Sequence, residues 1–410
     1  MDDRTARAVL RRFGTFADQF SGCFSRRPQR AAATRYLDGL FTDSERKSMQ
    51  AMHGRLSDPA SYQALQHFIT DSPWEAARVW TRVRTLIPVR TGLLAVDDTS
   101  LPKQGTHSVG VQRQYCGALG KVANCQVAVS TVLVGDRLAW PLTFELYLPE
   151  AWATDARRRE HAGIPARVRF REKWRMALSH VRRVRKAGFT ITAVVADTDY
   201  GSTAAFRRGL EREGLRYGVA IRGCVRAWQP GAPQAQPVSQ MVTQWPAHVW
   251  QHVMWGTGTK GPLVGRFAAL RVRVAKSRGE RWLLAERTAR TDERKYYLLN
   301  LDTTATLSDL VTVVRRRWPI EQQYRELKDD LGLDHFEGRS YRGWTHHTVL
   351  TAMAFTFLQL ERHRSADGLR PTLPTVRLWV REIMAALYVV NTRKVLNLIV
   401  SFQRNPPLRR

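Results

Sequence analysis

The sequence predicts an α/β protein: a mixed sheet with helices on both faces, flanked by helical regions. Three observations predict it. Short apolar runs at 93–96 and 190–196 end at Asp97 and Asp197, as buried strands do when their polar groups gather at strand ends. Segments of helical period lie between and around these runs. In the last third, Arg317, Glu321 and Lys328 are spaced by four and seven residues, about one and two helical turns, so they share one helical face.

Residues 1–88 read as helical. Thr42-Asp43-Ser44-Glu45 fits a capping box, and so does Ser72-Pro73-Trp74-Glu75, with Pro at the first helical position. Arg26, Arg27, Arg30, Arg35, Arg46 and Lys47 make this region a candidate DNA-binding module. The alternative is a helical scaffold with a solvated basic face. After the run ending at Asp97, residues 124–134 and 137–148 read as strands joined by a hairpin turn at Gly135-Asp136. A basic linker with Arg157, Arg158 and Arg159 follows. A helix is expected over 171–187 with Gly188 as its C-terminal cap. A buried strand over 190–196, a helix over 203–213 and a strand over 216–221 complete the series.

Three strands, helix, strand, helix, strand is an order compatible with a ribonuclease H-like fold. Pro230, Pro233 and Pro237 then mark a loop, and β-like alternation at 245–255, 263–275, 281–285 and 295–300 reads as a β-rich insertion ahead of the Glu321 helix. An apolar helix at 344–362 and a helical pair near 374–388 and 391–402 close the chain. The division expected is a helical, DNA-binding domain at 1–88, a ribonuclease H-like catalytic core at 89–222 and 301–340, a β-rich insertion domain at 223–300, and a helical region at 341–410.

Lys and Arg number 65 against 36 Asp and Glu, a net charge of +29 over 410 residues. That excess favours a polyanionic partner, foremost nucleic acid. The four cysteines, Cys23, Cys116, Cys125 and Cys224, form no C-x-x-C pair, which argues against a zinc ribbon or a redox motif. Scattered cysteines lead us to expect a reducing cytoplasm, and the expected location there is a bacterial nucleoid. No signal peptide is visible, and no apolar stretch has membrane-spanning length.

Three carboxylates converging from distant segments make a two-metal phosphoryl-transfer centre. Asp97 is the first expected ligand because it directly follows its apolar run; Asp98 is its rival, since a shift of one residue reverses the face. Asp197 is the second, with Asp199 read as a turn residue before Gly201. Glu321 is the third. The competing reading of Glu321 is a surface helix with ordinary ion pairs to Arg317 or Arg325, which fits the spacing equally well. Trp245, Trp250 and Trp255 read as packing of the β-rich segment. His346-His347 point about 100° apart on a helix, which favours a structural or DNA-contact role over a metal site. Lys103, Arg113 and Lys121, in a Gly-containing loop after the first Asp, are candidate DNA contacts.

The combination resembles the DDE transposases of bacterial insertion sequences. Their D-x-T-x-L pattern is met by Asp97-Asp98-Thr99-Ser100-Leu101, and the Y-x-x-R-x-x-x-E-x-x-x-x-x-x-K pattern of the IS-four superfamily by Arg317, Glu321 and Lys328, with Val314 where the family usually has Tyr. Ser72-Pro73-Trp74, Leu148-Pro149-Glu150-Ala151-Trp152 and Asp197-Thr198-Asp199-Tyr200-Gly201 look like the IS-seven-zero-one group. The resemblance implies that Asp97, Asp197 and Glu321 are catalytic and hold two Mg²⁺ ions, with Mn²⁺ able to substitute. It implies that Arg317, Lys328 and Arg325 hold DNA phosphates. It also implies double-stranded DNA, element ends and target, as the partner, and a homodimer on that DNA. A non-catalytic DNA-binding descendant and a nuclease that cuts without joining are the alternatives.

Overall fold

In a computed structural model, residues 3–42, 44–56, 61–135, 138–258, 261–275, 277, 279–287, 293–364 and 371–384 are described. Five helices open the chain: α1 (Asp3–Asp18), α2 (Arg27–Phe41), α3 (Met49–His53), α4 (Tyr62–Thr70) and α5 (Ala76–Leu86). Neither expected capping box starts a helix. Thr42 is the C-cap of α2, and α3 begins after Ser48, whose hydroxyl accepts from Ala51 N–H. Ser72 instead accepts from Gln29 Nε2 at 2.8 Å, and α5 starts after Glu75. A tertiary partner for the serine hydroxyl outcompetes the local cap.

Strands β1 (Thr91–Pro102), β2 (Gln112–Cys116), β3 (Lys121–Val134) and β4 (Ala139–Leu146) follow. The expected basic linker contains two short helices, α6 (Glu150–Ala153) and α7 (Ala156–His161). Next come α8 (Lys173–Lys186), β5 (Thr190–Ala196), α9 (Thr198–Ser202), α10 (Ala204–Arg212) and β6 (Tyr217–Ile221). Gly188 has φ +82° just past the end of α8, the left-handed conformation that glycine adopts without a Cβ penalty. Beyond β6 lie β7 (Arg226–Trp228), β8 (Gln236–Pro237), α11 (Val238–Thr243), β9 (Gln251–Gly258), β10 (Gly261–Val274), β11 (Glu280–Arg287) and β12 (Arg294–Leu299). The last described helices with full bounds are α12 (Leu307–Arg315), α13 (Trp318–Arg325) and α14 (Tyr341–Arg364). Residues 373–384 are also helical; the second helix of the expected C-terminal pair, at 391–402, lies outside the described residues.

The strands form one mixed sheet in the order β2-β3-β1-β5-β6-β12-β11-β10-β7-β8, with β4 also on β3 and β9 also on β10. β1, β5 and β6 are parallel to one another, and β3 runs antiparallel to β1 and β4. The β-rich segment expected at 223–300 does form strands. They extend the same sheet, because β12 pairs with β6.

β1 lies between β3 and β5 and is apolar on both faces. Leu93 and Ala95 join the apolar cluster that holds Tyr324 and Leu327. Leu94 and Val96 pack with Met176 and Val181 of α8. At roughly 1.5–3 kcal/mol for each large apolar side chain buried, a one-residue slip would exchange two packed faces, so the register is strongly specified. The N-terminal helices share the first cluster with α14: the Phe357 ring meets Phe13, Phe16 and Phe41 at centroid separations of 5.2, 5.4 and 6.0 Å.

Candidate metal centre

The parallel register of β1 and β5 sets Val96 opposite Ala196. Asp97, which lies within β1 rather than at its expected end, and Asp197, the residue just past β5, are therefore neighbours. Asp197 directly follows β5 and caps α9, its Oδ1 accepting from the N–H groups of Asp199 at 3.0 Å and Tyr200 at 3.2 Å. Alternation along β1 turns Asp97 toward α13 and Asp98 toward α8. Asp97 Oδ2 accepts from Arg317 at 2.6 Å, and Asp98 is ion-paired with Lys173 at the start of α8. One carboxylate oxygen from each of Asp97, Asp98 and Asp197 lies within 4.8 Å of the others.

Burial pushes the Asp97 carboxyl up to about 8. Arg317 opposes the rise, while Asp197 and Asp98 add to it. Asp197 is also raised, by burial first and then by Asp98. Two neighbouring carboxylates that resist ionisation together are a site that favours a cation. The donors are all hard oxygens, which suits Mg²⁺ or Mn²⁺ over zinc. The Tyr200 hydroxyl is buried, feels all three aspartates, and has no hydrogen-bond partner among the described residues. This donor set fits a divalent metal.

Glu321 stands outside the aspartate cluster. Its side chain is 49% exposed and it is ion-paired with Arg317, so Arg317 bridges it to Asp97. The pairing the spacing allowed on an ordinary helix is therefore formed, and its cation also reaches a buried strand. The single helix expected across Arg317 to Lys328 is interrupted at both ends. Arg317 is the N-cap of α13, which carries Pro319 in its first turn, and Glu326–Asp330 winds as a π-helical turn. Lys328 nonetheless returns to β1, donating to the Ser100 carbonyl at 2.9 Å.

The other expected DNA contacts divide. Arg113, Lys121 and Arg325 are exposed. Arg113 and Lys121 sit on the β2–β3 hairpin, where Gly117 N–H donates to Ser100 Oγ at 3.2 Å. Lys103 is half-buried and committed internally, donating to the carbonyls of Asp334 at 2.9 Å and Phe336 at 2.7 Å; burial brings it down to about 8. His346 and His347 are buried and bonded to backbone carbonyls, a structural role. Trp245 and Trp250 pack on each other at 6.1 Å, and Trp255 against Phe267 at 5.7 Å.

Sequence reasoning missed Lys173, the Tyr200 hydroxyl and a strut between Ser130 and Tyr324. Tyr324 of α13 bonds Ser130 at 2.7 Å, and Ser130 is the register partner of Asp97. The strut fixes α13 over β1. Its available signal was the Ser130-Thr131 pair of hydroxyls inside the apolar run from Val127 to Val134.

Two comparisons bear on this geometry. A probable transposase for insertion sequence element IS701 from Microchaete diplosiphon is 33% identical over 196 residues, 46% of this chain and 48% of that protein. The chain thus spans about half the length of this curated relative. The sequence model of the DDE superfamily endonucleases matches residues 19–261, a span that contains Asp97, Asp98 and Asp197 and stops short of Glu321. With more than half of its length matched, and with the aspartates of that span meeting where the parallel pairing of β1 with β5 ends, the chain belongs to the DDE superfamily endonucleases.

Proposed function

We propose that this protein is an insertion-sequence transposase that cuts DNA at element ends and joins them to target DNA. The observation that carries the reading is the juxtaposition of Asp97 and Asp197 by the β1–β5 register, with Glu321 tied to Asp97 through Arg317. The strand order β4-β3-β1-β5-β6, with the last three parallel, supports a ribonuclease H-like catalytic core. Asp97, Asp197 and Glu321 would hold two Mg²⁺ ions. When bound, such ions activate a water or a DNA 3′-hydroxyl and stabilise the leaving oxygen of an in-line displacement.

The protein's own groups prepare the site. Capping by α9 holds Asp197 in place, and Tyr324 braces the α13 backbone. Arg317, already between the carboxylates that would hold the metal, would itself hold a scissile phosphate beside them. Lys328 lies beside Ser100 on the same strand, and Arg113, Lys121 and Arg325 offer exposed charge for the flanking duplex. A homodimer holding two element ends follows from the same reading, as does an expected place at the nucleoid.

The test is a Mg²⁺-dependent cleavage and strand-transfer assay on DNA carrying the gene's own flanking ends, with wild type beside Glu321→Gln. Cutting and joining by wild type alone supports the reading. Cutting without joining makes the protein a nuclease. Tight binding without reaction makes it a DNA-binding protein only, and cutting by Glu321→Gln removes Glu321 from the centre.

A further inference from the structure

A cavity of about 760 Å³ opens where α5, the edge strand β4, residues 167–171 and α14 meet. This size falls in the roughly 300–1,000 Å³ range of ligand pockets. Five arginines line it, Arg84, Arg167, Arg169, Arg171 and Arg183, against one carboxylate, Glu145. Glu145 is already shared. Arg171 is ion-paired with it, Arg183 reaches it at 3.5 Å and His180 Nε2 bonds it at 2.9 Å. Arg167 and Arg169 form no hydrogen bond or ion pair among the described residues.

Arg84 is the telling member. It is 9% exposed, and its guanidinium donates only to neutral acceptors, the Leu142 carbonyl at 3.1 Å and Thr81 Oγ1 at 3.2 Å. A buried cation without a counter-charge is costly. Burial first, and then the nearby Arg183, lowers its pKa to about 10. Glu145 alone cannot neutralise five guanidinium groups, and planar forked donors match the oxygens of phosphate.

We propose that this cavity is a second phosphate site, taking a backbone phosphate of the DNA strand whose scissile bond lies at the aspartates. The register places it suitably. Glu145 pairs with Val129, which pairs with Asp98. Two strand spacings separate Glu145 from Asp98, roughly 10 Å, which is a few nucleotides at about 3.4 Å of helix axis each. DNA as the source rests on the transposase reading; the phosphate chemistry does not, and a free polyphosphate would satisfy it equally.

Binding measurements separate these cases without requiring cleavage. Duplex affinity is measured against salt for wild type, for Arg167→Ala/Arg169→Ala, and for Lys186→Ala/Arg212→Ala, a control that removes equal charge from exposed positions elsewhere. In parallel, inorganic pyrophosphate is titrated by calorimetry. The cavity variant should bind duplex about tenfold more weakly than the control, with a log–log salt slope shallower by about one. Duplex binding equal to the control's, with pyrophosphate binding lost only in the cavity variant, keeps the phosphate site and assigns it to a free polyphosphate. Equal duplex and pyrophosphate binding in both variants overturns the proposal. Arg84→Lys, which keeps the buried charge but not the fork, should reproduce the cavity variant's loss. Failure of the cleavage assay leaves each of these outcomes interpretable.

Discussion

Asp97 and Asp98 are sequence neighbours held by cations on opposite faces of one strand: Asp97 by Arg317 beside α13, Asp98 by Lys173 of α8. Their substitutions should therefore separate function from stability. In chelator, Asp97→Asn is expected to be at least as stable as wild type, because it removes a buried carboxyl already pushed up to about 8. Its cleavage should fall more than about 100-fold, beyond the 10–100-fold typical of partners that only orient a metal ligand. Asp98→Asn leaves Lys173 without its carboxylate and should cost about 1–3 kcal/mol while retaining measurable cleavage. Urea unfolding and the cleavage assay on both variants decide it; the reverse pattern would make Asp98 the ligand.

Divalent metal should stabilise the folded protein by relieving the repulsion among the three aspartates. At about 100 times its dissociation constant a metal contributes about 2.7 kcal/mol, a rise of a few degrees in Tm for a chain of this size. We expect Mg²⁺ and Mn²⁺ to raise the Tm of wild type and to leave Asp97→Asn and Asp197→Asn almost unmoved. An equal rise in all three proteins would place the metal elsewhere.

Gly201 is required for close approach, and its own conformation is ordinary. A Cβ there would lie 1.9 Å from the Ala220 carbonyl oxygen and 2.9 Å from Val219 Cβ. α9 could accommodate it only by lifting from β6, and its N-cap is Asp197. Gly201→Ala should thus cost about 3 kcal/mol or more and impair metal stabilisation at the same time. Unfolding free energies within about 0.5 kcal/mol of wild type would show that α9 does not pack this tightly.

The same residues illustrate what the sequence makes legible. The run from Thr190 to Ala196 is uniformly apolar and ends at a helix-capping Asp, so strand, end and candidate ligand are all locally written. α8 is legible from its period and from Gly188. Partner choice is not local. Nothing in 294–299 announces that it will pair with β6, so an insertion that reads as a separate unit becomes part of one sheet. The polar, exposed β2 was missed because it borrows its order from β3. Ser72 looks like a cap until Gln29, 43 residues away, takes its hydroxyl. At the site, the Arg317–Glu321 spacing was legible; that Arg317 would also bridge to Asp97 depends on a contact 220 residues away in sequence.

His347 gives the fold a pH dependence of definite sign. Its Nδ1 accepts from the Tyr36 hydroxyl at 2.7 Å and its Nε2–H donates to the Gly332 carbonyl at 3.0 Å, a pattern that suits one neutral tautomer. Burial first, then Lys103 and His335, bring its pKa down to about 4. The unfolded ring titrates near 6.5. The stabilisation is thus complete above about pH 6.5. It is lost as pH falls toward 4, because the unfolded chain takes up a proton that the folded one refuses. By pH 5 the loss from this ring is about 2 kcal/mol. His346, brought down to about 4 mainly by burial, adds in the same direction. The raised Asp97 carboxyl works in the opposite sense over this interval, so the ring is read as a difference between proteins: in urea unfolding at pH 7.5 and 5.0, His347→Gln, less stable at pH 7.5, should lose about 2 kcal/mol less across the interval than wild type. Equal changes in both proteins would mean that the buried ring carries its proton in the folded state.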